Sequence, residues 1–332
     1  MAAPHDAARG LPRVAEGAVL VPQEELAGAP NVVVDGPLMP GTVLSLSHWR
    51  RSGTPDALRD DTSALIVLRY LAADADGPEV HAVTNNHYDE DGLFAIWLLL
   101  ERPPEGSPAR GLAVAAAEAG DFGTWTDPWA PRVAIASMAM AERHLTPFPE
   151  VGRILATAGA VDPAGRLYRA ILPRVAGLLA DPERYRMLWR PRWARIQADI
   201  ALIDAGDATV EDVPAADLAV VRTPRPLDPM AVHPRTPRMR ILTALPDGTV
   251  TVTYRYETWV DYASRPLPPR VDLGPVAVRL QAEEANAVRW LFEGVEVITP
   301  RLMATGPGGR PAPTSHPPEH IVEELVAATA AG

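Results

Sequence analysis

Between residues 31 and 117 short β-rich runs alternate with longer apolar runs of helical character, and this alternation restricts the fold more than any other feature of the chain. Residues 31–35 (NVVVD), 42–48 (TVLSLSH) and 80–84 read as strands bounded by turn residues such as Pro40 and Gly41. Residues 61–71 open with cap-forming side chains and continue apolar, and 92–101 read as the next helix; 112–117 (LAVAAA) fit a strand or a buried helix equally well. Strands alternating with helices give an α/β layer structure, here with a largely parallel sheet flanked by helices. Such sheets bind ligands beyond the carboxyl ends of their strands.

The rest of the chain divides around this core. Residues 1–29, rich in alanine, glycine and proline, read as an irregular lead-in, with order expected from Asn31. An α/β domain is assigned to 30–145 and a helical bridging segment to 146–214, where Asp162 before Pro163 and Asp181 before Pro182 pair a cap with a first-turn proline. A smaller α+β domain follows over 215–332. It has a strand at 218–221, a hairpin of 239–245 and 249–256 about Pro246-Asp247-Gly248, and closing helices at 271–284 and 319–328.

Composition narrows the chemistry. All 31 basic residues are arginine, and there is no cysteine. Schiff-base lysines, phosphate-loop lysines, thiol nucleophiles and thiolate zinc sites are therefore excluded. A net charge of −11 disfavours bulk nucleic-acid binding. Residues 1–10 carry His5, Asp6 and Arg9 with no apolar run behind them, unlike a signal peptide, and the longest strongly apolar stretch, 93–100, is far shorter than the roughly 18 residues of a membrane span. The expectation is a cytoplasmic protein without a membrane partner, acting on a small anionic substrate, with a homodimer left open.

The chemistry concentrates in residues 83–95 (VTNNHYDEDGLFA), where His87-x-Asp89-x-Asp91-Gly92 stands at a strand-to-helix junction. In extended backbone, residues two apart share a side, so one imidazole and two carboxylates converge. Neighbouring carboxylates repel unless a proton or cation neutralises them, and carboxylates with an imidazole suit Mn²⁺, Mg²⁺ or Fe²⁺, and zinc less specifically. The competing interpretation is that Asp89 and Asp91 only cap the helix and His87 is a surface histidine. An EF-hand loop fails on spacing, because Leu98 occupies the position of its twelfth-residue glutamate.

An H-x-D-x-D-G element between a strand and a small-residue apolar helix resembles the first motif of the DHH phosphoesterases. That resemblance implies a DHH-like fold, two Mn²⁺ ions and hydrolysis of phosphoester or phosphoanhydride bonds. The chain has no Asp-His-His element. Two partial matches lie upstream instead: residues 31–35 resemble the strand ending in the family's second-motif aspartate, here Asp35. Ser47-His48-Trp49, followed by the helix start Asp61-Thr62-Ser63-Ala64, resembles the third motif with one histidine remaining. The motif order would then be permuted. The whole chain, including ERYRMLW and YRYETWVDYASR, also resembles a bacterial family of unknown function.

The reading that follows is a metal-dependent hydrolase, foremost a phosphoesterase. His87, Asp89 and Asp91 hold one or two divalent ions, Mn²⁺ first among them, with Asp121, His48 and Asp35 completing the ligand set. His48 ligates metal or protonates the leaving oxygen, and Asp91 shares in the catalysis. Asp121, in EAGDFGTW, is expected near a strand end, where a simple glycine-flanked turn is the alternative. Arg255 and Arg265 are assigned to substrate charge, although cross-strand salt bridging is the commoner use of such arginines. Two other functions stay open: hydrolysis or a lyase step on a carboxylate or amide, and a non-catalytic scaffold on the same fold.

Overall fold

Valine-rich β2 (Asn31–Val34) is buried along its whole length, as a central strand of a parallel sheet must be. The computed structural model describes residues 10–73, 75–157 and 162–331, so most of the N-terminal stretch used to exclude a signal peptide lies outside the described residues. The chain forms two compact units: residues 1–194 with 260–266, and residues 195–259 with 267–332.

In the first unit, β1 (Arg13–Leu20), β2, β3 (Thr42–Leu46) and, after helix α1 (Ser63–Ala72), β4 (Glu79–Thr84) form a sheet of order β1-β4-β2-β3. All three pairings are parallel. The lead-in expectation is thereby corrected: order begins before Asn31, because Val14, Ala15 and Leu20 give residues 13–20 a buried side that pairs with β4 despite their small-residue composition. Helix α2 (Glu90–Glu101) follows β4 and is buried from Glu90 to Leu99. Next come α3 (Pro108–Phe122), α4 (Ala130–Met140), α5 (Pro149–Thr157) and α6 (Ala164–Ala180). The ambiguous run at 112–117 lies within α3. Ser107 accepts from the Arg110 amide, Pro108 opens the first turn, and alanines at 113, 116, 117 and 119 bury one side, so alanine's helix propensity decides the form. Helix α7 (Arg186–Asp204) carries the chain into the second unit.

There β5 (Thr209–Val213), β6 (Leu218–Arg222), the short α8 (Pro229–Val232), β7 (Arg240–Ala244), β8 (Val250–Tyr254), α9 (Gly274–Glu283), β9 (Arg289–Phe292), β10 (Arg301–Thr305) and α10 (Pro318–Ala331) follow in order. The sheet order is β5-β6-β7-β8-β10-β9, and only β6–β7 is parallel. A largely parallel description thus fails for this second sheet. The reason is local: the Pro246-Asp247-Gly248 turn forces β7 and β8 into the expected hairpin, which is antiparallel by construction. Among the described residues no helix is long and apolar enough to cross a membrane.

Candidate metal centre

Because the first sheet is wholly parallel, the carboxyl ends of β2, β3 and β4 lie on one edge, and the chemistry gathers there. Asp35 directly follows β2, in the left-handed region at φ 53°, a conformation that aspartate and asparagine tolerate better than most residues. His48 follows β3 by two residues, and His87 and Asp89 lie between β4 and α2. Asp91 belongs to the first turn of α2, and Asp121 to the last turn of α3. The strand end expected before Asp121 is instead a helix end, closed by left-handed Gly123.

The contacts form two groups that share Asp35. In one, His87 Nε2 is 2.7 Å from Asp89 Oδ2 and 3.5 Å from Asp35 Oδ2. In the other, His48 Nε2 is 3.4 Å from Asp35 Oδ1, 3.7 Å from Asp91 Oδ2 and 3.5 Å from Asp121 Oδ2. Asp35, His87 and Asp89, and likewise Asp35, His48 and Asp91, each present donor atoms within 4.8 Å of one another. Further hydrogen bonds fix the side chains. His48 Nδ1 lies 2.7 Å from the Asp61 carbonyl and donates to it, so Nε2 is the nitrogen turned to the carboxylates. Asp91 accepts from the amides of Ser63 and Ala64 at the start of α1, at 2.6 and 2.8 Å. Ser63 Oγ donates to Asp35 Oδ1 at 2.8 Å. Asp89 caps α2 by accepting from the Gly92 amide at 2.8 Å. The capping interpretation is therefore correct for Asp89, yet it uses one carboxylate oxygen and leaves the other on His87.

Gly92 is required by close approach. A Cβ there would stand 2.3 Å from Tyr168 Oη, 2.6 Å from Asn85 Nδ2 and 2.9 Å from Asp89 Oδ1. Gly92→Ala is expected to cost about 1–3 kcal/mol by overpacking. It should also loosen the cap, read as a lower urea midpoint at unchanged m-value together with weaker cation binding.

The electrostatics describe a site short of positive charge. Burial and then the Asp35 charge push the Asp91 carboxyl up to about 7. Burial and the Asp89 charge take buried Glu90 to about 7, and Asp121 is raised well above the carboxylate range by burial and by Asp91 and Asp89. Burial would lower both imidazoles, but hydrogen bonding to Asp35 and the Asp91 charge raise His48 to about 9, and Asp89 raises His87 to about 9. Asp35 alone moves down, to about 2: burial opposes the shift, and the two imidazoles with Ser63 outweigh it.

The donor set fits a divalent cation. Asp35 Oδ2 and Asp121 Oδ2 are buried and accept no hydrogen bond, and no arginine lies within ion-pair distance of Asp35, Asp89, Asp91 or Asp121 among the described residues. Buried carboxylates in such numbers are otherwise paired or protonated. Oxygen donors with one imidazole per group suit Mn²⁺, Mg²⁺ or Fe²⁺. A further group, Glu283, His316 and His320, lies in the second unit, where Glu283 is exposed and pairs with His320 at 3.1 Å.

Neither assigned arginine forms an ion pair with these carboxylates among the described residues. Arg255 belongs to the second unit, is buried, and is engaged by Glu257 and the Thr236 carbonyl. Arg265 is exposed on residues 260–266 of the first unit. Residues outside the assigned ligand set also shape the site. Asp61 accepts at Oδ1 from the amides of Ala263 and Ser264, both at 2.7 Å, while its carbonyl holds His48. The Asp261 amide donates to the His48 carbonyl at 2.7 Å, and Tyr262 meets Phe122 edge-on at 5.5 Å. Nothing in local periodicity joins residues some 200 positions apart. Only the cap signature at 61–63 marks one partner.

The chain belongs to a described family: residues 18–332 match the family of unknown function DUF6687. No curated protein and no solved structure matches it.

Proposed function

We propose that this family member is a metal-dependent hydrolase whose first unit acts on a phosphorylated small molecule, with Mn²⁺ the leading cation. The observation that carries the proposal is the position of Asp35, whose two oxygens face different imidazoles at 3.4 and 3.5 Å and so join two ligand groups into one centre. His87, Asp89 and Asp35 would hold one ion; Asp35, His48, Asp91 and Asp121 would hold a second. Divalent cations there would supply Lewis acidity and bring the pKa of water toward neutrality.

The protein's own groups do the positioning. Asp61 fixes the His48 ring through its carbonyl, and the start of α1 fixes Asp91, so neither ligand is free to turn away from Asp35. Arg265, on the segment anchored to Asp61, is the arginine we retain for substrate charge. The likeness to DHH phosphoesterases supports the substrate class: the H-x-D-x-D-G element joins an aspartate and a histidine from neighbouring strands and a helix opening with Thr62 and Ser63, in permuted order. A phosphoester and phosphoanhydride panel assayed with Mn²⁺ tests this. We expect turnover that a chelator abolishes and Mn²⁺ restores. Chelator-reversible turnover confined to carboxylate esters or amides would replace the substrate class, and metal content well below one ion per chain would overturn the proposal.

A further inference from the structure

Among the described residues of the second unit, one buried positive charge, Arg240, has no carboxylate partner. Arg240 opens β7 and alternates with Leu242 and Ala244, so its side chain shares their apolar side of the sheet. It is 4 % exposed. Nη2 donates to Thr329 Oγ1 at 2.9 Å, whereas Nη1 is buried and has no hydrogen-bond partner. Among the described residues no carboxylate lies within ion-pair distance of Arg240; it also hydrogen-bonds the Tyr254 side chain, whose ring centroid lies 5.6 Å from the guanidinium carbon. Arg270 stands 5.7 Å from the same ring, with hydrogen bonds to the Thr258 hydroxyl and to the carbonyls of Val295, Val297 and Ile298. A buried guanidinium with a donor left unpaired is costly, and such groups commonly mark a missing ion or ligand.

Arg240 and Thr329 line a cavity of about 280 Å³, together with Arg270 and the apolar surfaces of Tyr254 and Met239. Asp217 and Asp272 also reach it. Both have partners already: Asp217 accepts from the Met239 amide and faces Arg238 at 3.9 Å, and Asp272 accepts from the Gly274 amide at 2.8 Å. Their charges admit one negative group beside Arg240 and oppose a second.

We propose that this cavity binds a small organic monocarboxylate, its head on Arg240 and its apolar body against Tyr254 and Met239. All the residues that line it belong to the second unit, and the inference does not rest on the proposed hydrolase activity. Calorimetric titration of the metal-free full-length chain with benzoate, with its neutral isostere benzamide and with inorganic phosphate tests it.

Benzoate is expected to bind saturably at one site per chain, and benzamide and phosphate to bind at least about tenfold more weakly, the scale of losing a charged hydrogen bond. Arg240→Met should lose benzoate by a similar factor while melting no lower than the parent, since it removes an unpaired buried charge at near-constant volume. Arg240→Gln, which can still reach Thr329, should show the same loss, so either variant alone decides. Absence of saturable benzoate binding, equal binding of benzamide, tighter binding of phosphate, or undiminished benzoate binding by a folded variant would each overturn the assignment.

Discussion

Asp35→Asn is expected to remove cation retention and metal-dependent turnover while the fold persists. Asparagine keeps the left-handed backbone at φ 53° accessible, and its amide oxygen can still accept from Ser63 Oγ. What disappears is the charge that faces both imidazoles, at Oδ1 for His48 and at Oδ2 for His87. Loss of a hydrogen-bond partner outside a metal's ligand shell typically costs roughly 10–100-fold in affinity or activity. A ligand common to two ions should exceed that range, with both ions lost together. Elemental analysis of the purified variant beside circular dichroism measures this. If the Asp35→Asn variant retains both ions, or loses only one, Asp35 does not join the two groups.

The sequence makes the heart of this site legible because parallel strands bring their carboxyl ends to a single edge. Once β2, β3 and β4 are recognised as such strands, Asp35, His48 and His87 must lie near one another whatever their order along the chain. Asp121 is harder to place. It comes from a helix, and an alanine-rich run in which every position is apolar carries no period to separate helix from strand. The contribution of Asp61 is hidden for another reason: it acts through its main-chain carbonyl and through amides near residue 263, and backbone groups leave no side-chain signature. Strand β1 escapes the pattern because alanine and glycine dilute its alternation; pairing with β4 supplies what intrinsic propensity does not. Arg255 directly follows β8 and pairs with nearby Glu257, a use of a strand-end arginine that local sequence does not distinguish from ligand binding.

The second large effect concerns stability. Metal-free protein is expected to melt lower at pH 8 than at pH 6, and saturating Mn²⁺ to reverse that order. Asp91 and Glu90 are raised to about 7 and Asp121 well above the carboxylate range, chiefly by burial and then by neighbouring carboxylates, so the folded chain holds protons that the unfolded chain has released. Stability from these groups is fully present below the unfolded carboxyl range near pH 4 and is lost as pH rises through about 7. His48 and His87, raised to about 9, act in the same direction: their stabilisation is present below about 6.5 and lost as pH rises toward 9. Asp35, lowered to about 2, opposes the trend only in acid, where its contribution is lost as pH falls from about 4. Cation binding requires the deprotonated forms of the same side chains, so it strengthens as pH rises and releases protons. At a hundredfold excess over Kd each bound ion adds about 2.7 kcal/mol. Two ions on a unit of this size should then raise Tm by roughly 10–20 °C. Scanning calorimetry at pH 6, 7 and 8, with chelator or with Mn²⁺, reads both trends. Coincident curves at every pH, or a metal-free protein more stable at pH 8, would mean that these carboxylates are neutralised from within the fold and hold no cation.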